Sequence, residues 1–166
     1  MNTAVSEVDP GLDPSKAHII HPRVTSENVQ GTTVRVTTDD HAWIIDEPKI
    51  KGGANLGPTP LESLLGSLAG CKSVVLRLVA NAINFDYSGL KVDCVGTADL
   101  RGARGVEGVR PYFTHVKLTL DLTTDEPADR IDLLKRNVEL RCPVMNLFDS
   151  ANVEMDVTWN IIPAKG

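Results

Sequence analysis

Apolar positions in this chain change period several times, and each change marks an element. From Leu61 to Ile83 they recur at helical spacing. Leu61, Leu64, Leu65, Leu68, Val75, Leu78, Val79, Ala82 and Ile83 form one stripe, and Ala69, Val74 and Leu76 carry apolar character around the other side. This pattern predicts a long helix buried on most of its faces. Thr59, Pro60, Leu61 and Glu62 fall at N-cap, N1, N2 and N3 of a capping box and set its start. Downstream, "LKVDCVGTADL" (90–100) alternates with Leu90, Val92, Cys94, Ala98 and Leu100 on one face. "YFTHVKLTLDL" (112–122) alternates with Val116, Leu118, Leu120 and Leu122 inside and His115 on the polar side, and "RGARGVEGVRP" between them reads as a hairpin connection. A second helix is expected from Pro127 to Leu140. It must stop near Cys142, because the residue before Pro143 is disfavoured in the α region. A short helix, "PVMNLFDS", can begin at Pro143, and "NVEMDVTWNII" closes the chain as a strand with Val153, Met155, Val157, Trp159 and Ile161 on one face.

Upstream of the long helix the runs "AHIIHPRVT", "TTVRVTT" and "HAWIID", separated by the turn signals "ENVQG" and "TDD", predict a small antiparallel meander. Residues 47–60, "EPKIKGGANLGPTP", concentrate glycine and proline, as a tightly turning loop requires. The order of strands, helix, strands, helix and strand is that of an α+β fold.

Composition narrows the class. With 166 residues, 42% of them apolar, the chain can bury one core without staples, and residues 16–166 are expected to form a single domain behind a flexible tail at 1–15, "MNTAVSEVDPGLDPS". Seventeen basic against 22 acidic residues leave a net charge of −5 with no basic block, which argues against a nucleic-acid partner. No charged-then-apolar leader opens the chain and no apolar run approaches the length of a span, so the expectation is a cytoplasmic protein without a membrane partner. Three cysteines, Cys71, Cys94 and Cys142, match neither a zinc-ribbon spacing nor a CxxC motif. Cys94 faces the core of its strand. Cys142 precedes an N1 proline and is therefore an N-cap candidate, where the helix dipole favours a thiolate; a buried structural cysteine is the other reading. Cys71 sits on the apolar stripe of the long helix or at its edge, either as inert core or as a working thiol.

"GGANLGPTPLESLLGSLAGC", followed 71 positions after its cysteine by "RCPV", resembles the OsmC/Ohr family of osmotically induced and organic hydroperoxide resistance proteins. The likeness runs from about residue 30 to residue 162. It implies an α+β fold with antiparallel sheets packed on a long buried central helix, and an intertwined homodimer with sites at the subunit interface. The activity implied is a thiol peroxidase that reduces organic hydroperoxides without metal or haem. The matched positions make Cys71 the peroxidatic cysteine and Cys142 the resolving one. A thiolate at Cys71 would cleave the O–O bond and become a sulfenic acid, Cys142 would condense with it to a disulfide, and an external dithiol would reduce the pair.

Burial alone raises a thiol pKa, so such a site needs a cation beside Cys71. In peroxidase members of the family an arginine from the N-terminal meander fills this role, held by a glutamate directly after the helix-start proline. Here Leu61 follows Pro60, and the glutamate is Glu62, one position later and about 100° around the helix. Glu62 is thus either the activating carboxylate or the partner of Thr59 in the capping box. Arg35 is the candidate arginine with Arg23 behind it, and Arg101, Arg104, Arg110 and His41 are further cations that could approach. Two other readings stand beside the enzyme: a redox-responsive or ligand-binding dimer with weak or no peroxidase activity, and a zinc site built from Cys71, Cys142 and His41 or His115.

Overall fold

The computed structural model describes residues 13–164, and most of the predicted tail lies outside the described residues. The described chain forms two compact units, residues 13–66 and residues 67–164, with the long helix running across the boundary.

The first unit holds three strands, β1 (Thr25–Gln30), β2 (Thr33–Thr37) and β3 (Ala42–Ile45), in an antiparallel sheet of that order. The meander is as expected, but its first strand is displaced. "AHIIHPRV" makes no strand, and the pairing partner of β2 is the stretch that reads as a turn signal. The turn is set by Gly31 at φ +56°, where a residue with a Cβ is strained. The glycine-rich loop after β3 is organised by Asp46, which is fully buried. Its carboxylate accepts from the Thr32 hydroxyl at 2.8 Å and from the backbone N–H groups of Glu47, Ala54 and Leu56 at 2.8, 3.0 and 3.2 Å. Burial pushes this carboxyl up, but the four donors outweigh it and hold the pKa down at about 2. Gly53 is required there, because a Cβ would lie 1.8 Å from the Glu47 carbonyl oxygen.

α1 (Pro60–Ala82) begins as predicted. The Glu62 N–H donates to the Thr59 hydroxyl oxygen at 3.2 Å, and the Thr59 N–H donates to the Glu62 carboxylate at 2.7 Å. It ends in a Schellman arrangement: Asn84 takes φ +51°, and the Phe85 N–H reaches back to the Ala80 carbonyl at 2.8 Å. By length and composition α1 could cross a membrane. It is instead part of an α+β unit in which Leu68, Lys72, Val75, Leu76, Val79 and Ala80 are buried. Val74 and Leu78 are exposed in the single chain, so one flank of the helix lies open rather than being covered on most faces.

The second unit adds β4 (Gly89–Ala98), the short α2 (Leu100–Ala103), β5 (Phe113–Thr123), α3 (Ala128–Arg141), α4 (Pro143–Ser150) and β6 (Glu154–Ile162). β4 and β5 pair antiparallel with the predicted alternation, and Val116, Leu118, Leu120 and Leu122 have no exposed surface. β6 corrects the expectation of wholly antiparallel sheets, since it runs parallel to β5 at the sheet edge. A parallel neighbour needs a crossover, and α3 with α4 provide it. Both helices rest on the apolar face: Phe148 of α4 stacks on Phe113, and Lys135 of α3 lies over the Trp159 ring. Arg130 ties α3 to the end of α1 through bonds to the carbonyls of Ile83 and Asn84, while its Nε is held by Glu126.

Candidate functional site

Two of the predicted residues meet. Cys71, 71 residues before Cys142 in sequence but joined to it by the fold, lies in the middle of α1; Cys142 closes α3 and serves as N-cap of α4. Their Sγ atoms are 3.2 Å apart, with the Cys142 thiol donating toward the Cys71 sulfur, and both are free thiols. A disulfide needs about 2.05 Å, so roughly 1 Å of closure would bond them. Cys142 is fully buried, whereas Cys71 keeps a partly open side.

Cys142 stands where its sequence position placed it, at a helix N-terminus beside Pro143, but the thiol is not acidified. Burial pushes its pKa up, and the hydrogen bond to Cys71 and the charge on that sulfur push the same way. The Met145 N–H from the first turn of α4 and the Lys72 ammonium pull down and do not prevail, and no capping hydrogen bond to the sulfur forms. The pair therefore favours a protonated Cys142 facing Cys71.

Lys72 is the residue that sequence reasoning missed. It follows Cys71 directly, its side chain has no exposed surface, and its Nζ has no hydrogen-bond partner among the described residues. Desolvation lowers its pKa. The negative charge available at Cys142, Glu139, Asp149 and Cys71 opposes that fall. The signal was present in the apolar stripe: Lys72 stands four residues after Leu68 and four before Leu76, at the centre of the buried face.

The remaining candidates have partners of their own or are exposed. Glu62 is held in the capping box, and the Thr59 N–H is the main cause of its lowered pKa. Arg35 is exposed on β2 in the first unit, opposite Glu27 and Ile44. Arg101 is clamped on Asp99, and Arg110 bonds the Asn152 carbonyl and stacks on Tyr112. Arg104 and His41 are exposed, and the His41 N–H is given to the Thr38 hydroxyl. Cys94 sits on the inner face of β4, where burial raises its pKa to about 11. Among the described residues no cluster of three or more His, Cys, Asp or Glu side chains could hold a metal ion.

The pattern of the OsmC-like protein family matches residues 52–158, a stretch that contains both cysteines and the loop before the helix. The chain belongs to the OsmC-like family. Solved structures agree on the fold. An OsmC-like protein from Mycoplasma pneumoniae superposes with a TM-score of 0.74 at 19% identity, over 86% of this chain and 98% of that one. An organic hydroperoxide resistance protein OsmC from Legionella pneumophila gives 0.63 at 16% identity, over 88% and 99%. The organic hydroperoxide resistance protein OhrB of Bacillus subtilis gives 0.55 at 19% identity, over 86% and 98%. A search of curated proteins finds no match. At these identities the likeness establishes the OsmC-like architecture.

Proposed function

We propose that this OsmC-like protein is a thiol-dependent peroxidase that reduces organic hydroperoxides, with Cys71 as the attacking thiol and Cys142 as the resolving one. The observation that carries the reading is the 3.2 Å approach of the two sulfurs, with the Cys142 thiol as donor. The closeness lets a sulfenic acid formed at Cys71 condense with the Cys142 thiol without large movement. Cys71 is the sulfur with an open side, and Cys142 is sealed. The reductant is an external dithiol, and the working unit is a homodimer in the cytoplasm.

One observation favours a second reading, a redox-responsive or ligand-binding dimer. The carboxylate expected to hold an activating arginine is committed to the helix cap, and Arg35 is exposed without an ion-pair partner among the described residues. Stopped-flow oxidation of the reduced protein by cumene hydroperoxide and by hydrogen peroxide separates the two. The peroxidase should react much faster than free cysteine, and faster with the organic substrate. Rates no higher than those of free cysteine with both peroxides would assign the second reading.

A further inference from the structure

A buried ammonium without a hydrogen bond is costly, and Lys72 occupies the centre of an apolar face where leucine or alanine would pack without that cost. Its immediate chain neighbour is Cys71, whose sulfur touches that of Cys142. The groups whose charge acts on it come from three helices: Cys71 from α1, Cys142 and Glu139 from the junction and end of α3, and Asp149 from α4. Glu139 and Asp149 are exposed, and water screens them. Of the set, Cys142 is fully buried and Cys71 half-buried, so the two thiols are the members least screened by water. We propose that Lys72 is the proton reservoir of the dithiol: its ammonium balances the single thiolate of the reduced Cys71–Cys142 pair, and it gives up its proton when the pair is oxidised.

This inference rests on the redox pairing of the two cysteines, and in its catalytic form on the peroxidase reading. The reduced site holds Cys71 as thiolate, Cys142 as thiol and Lys72 as ammonium. The thiolate attacks the outer oxygen of an organic hydroperoxide, an S–O bond forms, and the O–O bond breaks with its electron pair leaving on the alkoxide. The Lys72 proton converts that alkoxide to the alcohol. The Cys142 sulfur then displaces hydroxide from the Cys71 sulfenic acid, and the departing hydroxide takes the Cys142 proton to become water. Two electrons have passed from the sulfurs to the peroxide, the disulfide is neutral, and Lys72 is a neutral amine. An external dithiol restores the site by giving two electrons and two protons, one proton to Cys142 and one to Lys72. The electrostatics run the same way: once neither sulfur can carry charge, the support from the thiols is gone and only the water-screened charges of Glu139 and Asp149 still oppose desolvation.

The test follows Lys72 itself. In the full chain with isotope-labelled lysine, the Lys72 side-chain resonance is titrated in the reduced protein and again after diamide has formed the disulfide, so that no peroxide chemistry is needed. The Lys72 midpoint should fall by about one pH unit or more on oxidation, a change of about tenfold in its ratio of protonated to neutral form at a given pH. Identical midpoints in the two redox states would overturn the proposal. In a folded Lys72→Met variant the pH midpoint for alkylation of the pair should rise by a similar amount, with rates converging on wild type at high pH; an unmoved midpoint would also overturn it. Should Lys72→Met fail to fold, the wild-type titration decides alone. Slow peroxide reaction together with a redox-dependent Lys72 titration would reject the peroxidase and retain the reservoir.

Discussion

A thiol buried at a helix N-terminus is pulled in two directions, and at Cys142 burial prevails over the Met145 N–H. That balance assigns different fates to single substitutions. Cys71→Ser should reduce peroxide consumption to background. Cys142→Ser should allow one equivalent of peroxide to react and then stall at a Cys71 sulfenic acid, detectable with a sulfenic-acid trapping reagent. Cys94→Ser should change neither result, because a thiol whose pKa is about 11 is protonated at neutral pH. Continued turnover in Cys142→Ser without added thiol would remove Cys142 from the resolving role. The two cysteines were legible because their motifs, "LAGC" and "RCPV", are short and distinctive. Lys72 was not, because a lone lysine within a helix reads by default as a solvated charge. The informative feature was a charged side chain on the apolar face of a helix, visible only once that face was drawn through residues 68, 72 and 76.

At the scale of elements, the start of α1 was readable residue by residue, since a capping box is a local motif whose bonds depend on four consecutive positions. The same geometry makes a prediction about Glu62. Glutamine can accept the Thr59 N–H as the carboxylate does, so Glu62→Gln should retain both urea midpoint and oxidation rate, whereas Thr59→Ala should cost about 1 kcal/mol of stability by urea unfolding. A slowed first oxidation in Glu62→Gln with unchanged stability would instead give the carboxylate a role at the thiol. Two element-level features could not be read. β1 is exposed along its whole length, so no alternation marks it; its place is decided by the turn at Gly31 and by pairing with β2. The direction of β6 is likewise silent, because alternation with period two is the same in a parallel and an antiparallel strand, and only the crossover through α3 and α4 sets it.

At the scale of the whole molecule, the open flank of α1 asks for a partner. Cys71, Val74 and Leu78 fall at i, i+3 and i+7 and share one side of the helix. Cys71 is half-buried there, while Val74 and Leu78 are 60% and 59% exposed. Two large aliphatic side chains beside the Cys71 sulfur would be a liability in water, but under a second subunit they would wall the thiol with apolar surface, the environment an organic hydroperoxide prefers. Leu140 and Leu147, on the helices flanking Cys142, are also more than half exposed. We therefore expect a stable homodimer burying more than roughly 2,000 Å², the size of obligate interfaces, with each α1 flank covered. Light scattering at micromolar concentration should return the mass of two chains. Leu78→Asp should shift that mass toward one chain and at the same time speed alkylation of Cys71 by a bulky maleimide, because the substitution buries a charge in the interface and unseals the sulfur. A wild-type monomer at that concentration would refute the dimer. A dimer that persists in Leu78→Asp with unchanged Cys71 accessibility would place the interface elsewhere and leave the sulfur open to solvent.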